Sequence, residues 1–225
     1  MRQEVIVSSG RAVATDMNMW ADGPSFKYHR FSFALTKRLM DLSFALLCLP
    51  IMLVLAFGIF VANPIWNPGK LFFRQRRMGR HGKPFTMWKF RTMLDNGAAV
   101  RDANAPLDAD RITSLGRLLR RSKLDELPNI LNILTGDMSL IGPRPDAFEH
   151  ATEYALSVPR YRKRFTVRPG ITGLAQVRGG YADNLRSVRR KARYDSFYIR
   201  NRSILLELSI IFATIGVVLS GFGQR

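Results

Sequence analysis

One long apolar stretch dominates the first third of the chain. Residues 42–62 carry no charged side chain, and a helix of that length, at about 1.5 Å per residue, crosses a hydrocarbon core of roughly 30 Å. Pro50 lies inside the stretch, where it bends or breaks a helix. Lys37 and Arg38 precede it and Lys70 follows it. Because basic flanks tend to stay on one side of a membrane, the pattern favours a re-entrant helix. A spanning helix and a buried core helix are the alternatives.

A second pattern has the period of β-strands. Residues 71–76 and 85–93 predict two strands around a turn that contains Gly79 and Gly82. Alternation in the second strand places Lys89 and Arg91 on the same face. They are either a solvated edge or a pair that faces a phosphate group.

A third pattern is helical and begins beside two adjacent carboxylates, Asp125 and Glu126. Pro128 is tolerated in the first turn of a helix, and apolar residues then recur at helical spacing as far as Gly136. The pair is therefore predicted near the N-cap, where the helix dipole favours ionised carboxylates by roughly 0.3–1 kcal/mol each. We predict that both are charged at neutral pH. The ordinary interpretation is a capping Asp with a first-turn Glu.

The remaining pattern completes an α/β fold class with a small β-hairpin. Apolar residues recur at helical spacing over residues 112–120 and 183–200, which predicts two helices. Residues 96–110 are predicted to form a polar loop. Residues 208–219 are apolar but too few to span a membrane. Pro143 and Pro145 fix the backbone on both sides of Arg144, which suits a guanidinium aimed at phosphate.

We divide the chain into an N-terminal tail (1–36), a membrane segment (37–67) and a cytosolic or interfacial portion of the same domain (68–225).

Charge narrows the choice of partners. The chain has 35 Lys and Arg against 17 Asp and Glu, a net charge of +18. This balance indicates anionic partners: nucleic acid, anionic lipid or phosphorylated substrates. The single Cys48 excludes an internal disulfide, and His29, His81 and His150 lack metal-ligand spacing.

An acidic pair among arginines, next to a membrane segment, favours phosphoryl chemistry on a membrane substrate. A carboxylate can act as nucleophile or as an oxygen ligand for Mg²⁺, while arginines neutralise phosphate oxygens. A nucleic-acid or lipid-binding module would need neither the pair nor the apolar stretch. A structural membrane adaptor would leave the rigid Arg144 unexplained.

Several short motifs occur in a fixed order along the chain. They are Lys37-Arg38-x-x-Asp41, Lys89-Phe90-Arg91-Thr92-Met93, Leu124-Asp125-Glu126-Leu127-Pro128, Gly136-Asp137-Met138-Ser139, Gly142-Pro143-Arg144-Pro145, Arg168-Pro169-Gly170-Ile171-Thr172-Gly173 with Gln176, and Tyr194-Asp195 with Tyr198. From about residue 37 to the C-terminus the chain thus resembles the small monotopic phosphoglycosyl transferases. These are also called bacterial sugar transferases or polyprenyl-phosphate hexose-1-phosphate transferases. Leu49 stands where the family has a Ser before Pro50, and Glu207 where an Asp is expected.

The resemblance implies a re-entrant membrane helix, interfacial amphipathic helices and a two-step reaction. Asp125 would attack the β-phosphorus of a UDP-sugar, release UMP and carry the sugar phosphate until a polyprenyl phosphate such as undecaprenyl phosphate accepts it. Glu126 would hold Mg²⁺. The implied product begins the synthesis of an exopolysaccharide or another surface glycan.

The resemblance also suggests further site residues and a location. The candidate substrate-binding residues are Lys89, Arg91, Arg121, Arg144, Arg168, Asp137 and Asp195. The candidate anchor residues are Lys37, Arg38, Asp41 and Pro50. The expected partners are a UDP-sugar, polyprenyl phosphate and anionic membrane lipid, without nucleic acid, at the cytoplasmic face of a bacterial inner membrane. The sugar and the oligomeric state stay open, a homodimer included.

Overall fold

The computed structural model describes residues 27–94, 109–179 and 185–220, which form a mixed fold of helices and two small sheets. The predicted tail as far as residue 26 and most of the predicted loop over residues 96–110 lie outside the described residues. The helices are α1 (Lys27–Trp66), α2 (Ser114–Ser122), α3 (Asn129–Thr135), α4 (Phe148–Ser157), α5 (Leu174–Gly179), α6 (Leu185–Arg200) and α7 (Ile204–Ser220). The strands are β1 (Phe72–Met78), β2 (Pro84–Phe90), β3 (Ser139–Ile141) and β4 (Gly170–Thr172).

The N-terminal helix α1 begins ten residues before the predicted boundary at residue 37 and stays helical through Pro50. Ala45, Met52 and Ile59 recur every seven residues and are buried in the main hydrophobic core. Most of the other large apolar side chains of α1 are exposed, such as Phe57, which is 70% exposed. A helix with one buried stripe does not fit the alternative of a buried core helix. By length and composition, α1 is the one described helix that could cross a membrane.

The N-terminal part of α1 is fixed to the globular part by polar contacts. Lys37 donates to Glu207 of α7 (Nζ–Oε2, 2.6 Å), and Arg38 donates to the last carbonyls of α3. Asp41 is buried and accepts hydrogen bonds from β3, including one from the Ser139 hydroxyl at 3.0 Å. Lys37 and Arg38 are the basic residues nearest to Asp41 in the sequence. The closest contacts of Asp41 are to β3, because Lys37 lies 4.0 Å away and bonds more closely to Glu207.

The C-terminal end of α1 is fixed to the same globular part. Asn63 donates to the Gly69 carbonyl, and the wholly buried Asn67 donates to the Arg91 carbonyl at 3.0 Å. The Arg91 guanidinium donates in return to the carbonyls of Asn67 and Lys70, the latter at 2.6 Å. Both ends of α1 therefore contact one folded body.

The predicted hairpin is confirmed. Strands β1 and β2 pair antiparallel, with Phe73 opposite Lys89, and the turn between them places His81 and Gly82 at positive φ. The bulky side chains Met87 and Phe90 of β2 are buried in the core. Lys89, which lies between them in the sequence, contacts the segment that carries the acidic pair.

Candidate active site

The acidic pair lies in a short 3-10 turn, Leu124–Glu126, between α2 and α3. Lys123 ends α2 in the left-handed conformation (φ 59°), and Pro128 occupies the N-cap of α3. The pair therefore lies near the N-cap, as predicted, but neither carboxylate occupies it. The chain enters α3 through a tighter turn, in which the Leu127 N–H bonds to the Leu124 carbonyl, so both carboxylates lie before the helix.

Two cations from distant parts of the chain hold Glu126. Lys89 of β2 donates a hydrogen bond to Oε1 of Glu126 at 2.7 Å. Arg144 donates to both carboxylate oxygens, and its Nη1 lies 2.8 Å from Oε2. Only 17% of the Glu126 side chain is exposed. A bidentate guanidinium and an ammonium on one carboxylate form charge-assisted hydrogen bonds, the stronger class of protein hydrogen bond.

These contacts determine the ionisation of Glu126 and Lys89. Burial opposes the charged carboxylate, but Arg144 and Lys89 outweigh it and hold the pKa of Glu126 well below its usual range. Burial lowers the pKa of Lys89, and Glu126 opposes that shift. Glu126 is therefore charged at neutral pH, as the sequence predicted, although ion pairing rather than a helix dipole keeps it so.

Asp125 differs from its neighbour in both bonding and ionisation. No described residue donates a hydrogen bond to its carboxylate, which is half-buried. Burial raises the pKa of Asp125, and the charge of Glu126 adds to that shift, whereas Lys89, Arg120 and Arg144 lower it. The pair thus consists of one carboxylate that is bound on both oxygens and one that accepts no hydrogen bond from a described residue.

Asn132 explains why Lys89 lies opposite the pair. This buried amide accepts from the Trp88 N–H at 3.2 Å and donates to the Thr86 carbonyl at 2.7 Å. It therefore binds the outer edge of β2, which β1 does not cover. Because Asn132 lies in the middle of α3, this contact fixes α3 against the strand that carries Lys89.

The position of Arg144 depends on close backbone packing beside β3 and β4. A Cβ atom at Gly170 would lie 2.1 Å from the Gly142 nitrogen, so this approach requires glycine. The Gly170 N–H donates to the Pro143 carbonyl at 3.0 Å, which joins the segment after β3 to the start of β4. Arg144 follows directly and also donates to the Ile171 carbonyl at 3.3 Å.

A buried ionic cluster supports the backbone of Arg144 from behind. Arg164 donates to the Arg144 carbonyl, to Asp146 and to Asp195, with distances of 2.5, 2.5 and 2.7 Å. Lys191 of α6 donates to the other oxygen of Asp146 at 2.6 Å. Arg164 and Asp195 are almost fully buried. The cluster thus ties the segment after β3 to the Tyr161–Thr166 turn and to α6.

Removing the central cation of this cluster should destabilise the protein. We expect Arg164→Gln to lower the free energy of unfolding by about 3–5 kcal/mol, because it removes the cation that pairs with the buried Asp195 and with the partly buried Asp146. Chemical denaturation in neutral detergent measures the change. Lys163→Gln is the matched control, since Lys163 is adjacent and exposed. Equal stability of the two variants would contradict a supporting role for the cluster.

The other predicted site residues lie apart from the acidic pair. Arg91 binds backbone carbonyls at the base of the hairpin, so it does not form a phosphate-facing pair with Lys89. Arg121 lies on the exposed face of α2, and Arg168 donates to the Gly136 carbonyl at 2.8 Å. Asp137 is exposed and accepts from the Thr135 hydroxyl, while Asp195 belongs to the buried cluster.

Two residues near the site were not singled out from the sequence. Arg120 acts electrostatically on Asp125, and its guanidinium is held by the Thr92 hydroxyl at 2.9 Å. It lies one turn after Gly116, whose backbone packs directly on Thr92, so helical spacing could have favoured it over Arg121. Arg164 lies in a densely basic segment, where nothing local distinguishes it.

The donor set around Asp125 fits Mg²⁺ in type. No cluster of three or more metal-ligating side chains occurs within residues 27–94, 109–179 and 185–220. Mg²⁺ does not require one, because it is commonly held by one or two carboxylates together with water and substrate phosphates. Asp125 and Glu126 can provide those carboxylates, although an ion on Glu126 would compete with Lys89 and Arg144 for its oxygens.

Comparison with known families identifies a match over most of the chain. The model of the family described as bacterial sugar transferase matches residues 32–221, which include most of α1, the acidic pair and α7. The chain belongs to the bacterial sugar transferase family. This match covers all the elements that surround Asp125.

Relatives within the bacterial sugar transferase family carry more specific names. The chain is 43% identical over 191 residues to a UDP-glucose:undecaprenyl-phosphate glucose-1-phosphate transferase of Xanthomonas campestris pv. campestris, covering 81% of the chain and 38% of that protein. It is 39% identical over 194 residues to a UDP-N-acetylgalactosamine-undecaprenyl-phosphate N-acetylgalactosaminephosphotransferase of Aeromonas hydrophila, covering 86% and 46%. Identity to the exopolysaccharide production protein PSS of Rhizobium leguminosarum bv. phaseoli is 40% over 188 residues, covering 80% and 92%. The chain thus spans less than half of the first two relatives.

Proposed function

We propose that this protein transfers a sugar-1-phosphate from a UDP-sugar to undecaprenyl phosphate. The observation that supports the proposal most strongly is that the two carboxylates of the acidic pair differ in their hydrogen-bond contacts. Asp125 has a carboxylate that no described residue hydrogen-bonds, while Glu126 holds Lys89 and Arg144 beside it. The names of two relatives specify this kind of transfer, and a third is named for exopolysaccharide production.

In the proposed reaction, a carboxylate oxygen of Asp125 attacks the β-phosphorus of the UDP-sugar. A bond forms between Asp125 and phosphorus, and the bond from phosphorus to the oxygen that bridges the two phosphates breaks, so that UMP leaves. A phosphate oxygen of the lipid then attacks the same phosphorus and releases Asp125 unchanged. Lys89 and Arg144 stabilise the charge that develops on the phosphoryl oxygens.

Mg²⁺ is part of the proposal. Glu126 would hold the ion together with substrate oxygens, where it would neutralise charge on the diphosphate. Lys89 and Arg144 already bind the oxygens of Glu126. If these two cations moved to an incoming diphosphate, the carboxylate of Glu126 would become free to bind the ion.

We further propose that α1 is a re-entrant anchor and that the site faces the cytoplasm at the bacterial inner membrane. Contacts at both ends of α1 support this, since Lys37 and Asn67 bind the same folded body. A straight spanning helix would carry one end to the far side of the bilayer. The exposed apolar face of α1 would contact lipid.

The topology predicts a labelling result. Single cysteines at positions 30 and 70, introduced into a Cys48→Ser background, should react with a membrane-impermeant thiol reagent from the same side of sealed inverted vesicles. Lys70 is exposed, so its replacement disturbs no packing. Labelling of the two positions from opposite sides would overturn the re-entrant anchor and favour a spanning helix.

The proposed activity predicts nucleotide release that depends on all components. With undecaprenyl phosphate and Mg²⁺ present, the protein should release UMP from at least one member of a panel of UDP-sugars. The panel should include UDP-glucose and UDP-N-acetylgalactosamine, the donors in the names of two relatives. Release of no UMP from any donor would contradict the proposal, as would release of UDP, which marks simple glycosyl transfer.

A further inference from the structure

A second concave site shares no lining residue with the Asp125 site. It is an open cleft of about 180 Å³ between one face of α6 and the turn that follows α4. Helix α6 contributes Arg193, Ser196, Phe197 and Arg200, which lie three or four residues apart and so share a face. Arg160 closes the cleft from the other side.

The charge of the cleft is positive and unbalanced. Arg160, Arg193 and Arg200 are all exposed, and no described carboxylate pairs with any of them. Three guanidinium groups around one small space repel one another, and an anion between them relieves that repulsion. Guanidinium groups also match the geometry of phosphate oxygens.

Ser196 provides an independent indication of a ligand. It is only 8% exposed, and its hydroxyl lacks a hydrogen-bond partner among the described residues. Serines within helices commonly bond back to a carbonyl of the preceding turn, which this one does not do. A buried hydroxyl without a partner is unfavourable, and it becomes satisfied if it donates to an anion in the cleft.

The backbone of Arg160 supports the same conclusion. Its φ of 64° is left-handed, a conformation that costs free energy for a residue with a side chain. Such strain persists where the surrounding structure enforces it, and it occurs often at ligand sites. Here the strained residue is one of the three arginines that line the cleft.

We propose that this cleft binds the phosphate group of an anionic phospholipid. Two features favour a lipid over free phosphate. Phe197 is 56% exposed at the cleft, where it can contact acyl chains or glycerol. Arg200 lies two residues before Arg202, whose guanidinium is 5.8 Å from the ring centroid of Phe33 in α1. The cleft therefore lies near the end of the membrane helix, at the level expected for headgroups.

This inference does not rest on the proposed reaction. It implies that α6 contacts the membrane through a defined binding site, in addition to its general basic charge. Bound lipid would hold α6 against the turn that carries Arg160. That turn continues into the segment containing Arg164, which contacts the Arg144 carbonyl.

Native mass spectrometry of the full chain in neutral detergent tests the site without nucleotide sugar. The protein is titrated separately with phosphatidylglycerol, phosphatidylcholine and inorganic phosphate. We expect one phosphatidylglycerol to bind about ten-fold more tightly than phosphatidylcholine. Arg193→Gln combined with Arg200→Gln should abolish that preference. Arg186→Gln combined with Arg189→Gln should retain it, because these exposed arginines of α6 remove the same charge outside the cleft.

Removal of the Ser196 hydroxyl tests whether lipid binding depends on the cleft itself or only on general positive charge. Ser196→Ala should weaken phosphatidylglycerol binding without lowering the melting temperature, because the hydroxyl has no partner to lose. Equal loss of binding in both double-arginine variants would overturn the site in favour of diffuse attraction. Inorganic phosphate binding as tightly as phosphatidylglycerol would overturn the lipid. Neither result depends on UMP release, so failure of the proposed reaction would be seen separately.

Discussion

Asp125→Asn should lower the rate of UMP release by about 10³-fold or more, the scale on which loss of a covalent nucleophile acts. An amide cannot form the acyl phosphate that the proposed reaction requires. The wild-type protein, incubated with a UDP-sugar labelled at the β-phosphate and without lipid acceptor, should retain label. The asparagine variant should retain none.

This loss should occur without loss of structure. Burial raises the pKa of Asp125 in the folded protein, so the ionised form is disfavoured by folding at neutral pH, and a neutral amide removes that cost. The melting temperature should therefore stay equal or rise. Asp110→Asn is the matched control, an exposed Asp outside the site, and should keep full activity. Turnover of Asp125→Asn at the wild-type rate would rule out the covalent mechanism.

Glu126→Gln should have the second largest effect, on both stability and activity. It removes the counter-charge of Lys89 and Arg144, which should lower the free energy of unfolding by about 2–3 kcal/mol at neutral pH. Mg²⁺-dependent transfer should fall by about 10²-fold, because both cations lose their fixed positions. Glu153→Gln, at an exposed position of α4, is the control.

The pH dependence of the stability loss follows from the pKa of Glu126. That pKa is lower in the folded protein than in the unfolded chain, so the ionised carboxylate contributes stability above its unfolded pKa of about 4.3. The contribution is lost as pH falls through the folded pKa. The difference in melting temperature between the wild-type protein and the variant should therefore begin to shrink below about pH 4 and close only as the pH falls through the folded pKa of Glu126. A difference that does not shrink with falling pH would contradict the ion-pair explanation.

A second pH effect should appear in the residual activity of Glu126→Gln. The charge of Glu126 raises the pKa of Asp125, whereas Lys89 and Arg144 lower it. With glutamine at position 126, the negative charge that raises the pKa of Asp125 disappears. The positive charges of Lys89 and Arg144, which lower that pKa, are then no longer neutralised by Glu126. The acidic limb of the pH profile should therefore move to lower pH. A purely structural role for Glu126 would leave that limb in place.

Local patterns predicted the parts of the fold that depend on neighbouring residues. The alternation around Lys89 gave the hairpin correctly, because the face of a strand residue follows from its position alone. The same alternation could not separate Lys89 from Arg91, since β2 ends at Phe90 and Arg91 turns to carbonyls near Asn67. The helical period likewise placed α3, but it did not predict the 3-10 turn that displaces Asp125 from the cap.

Local sequence patterns could not predict the contacts that form the site. Glu126 lies 37 residues from Lys89 and 18 from Arg144, and only the packing of β2, α3 and the Gly142–Gly170 approach brings them together. The motif order suggested which residues belong to one site. It did not show that Glu126 is engaged by cations while Asp125 is free, nor that Arg164 supports Arg144.

The seven-residue stripe of α1 has a consequence for handling the protein. Ala45, Met52 and Ile59 complete the same core as Met87 and Ile130, so a fragment lacking α1 would expose that core to water. Cleavage after α1 should therefore yield an aggregating fragment instead of a soluble enzyme. Helix α1 is thus part of the domain core as well as the proposed membrane anchor, so we expect that detergent can replace the bilayer around the intact chain but that α1 cannot be removed without loss of the fold.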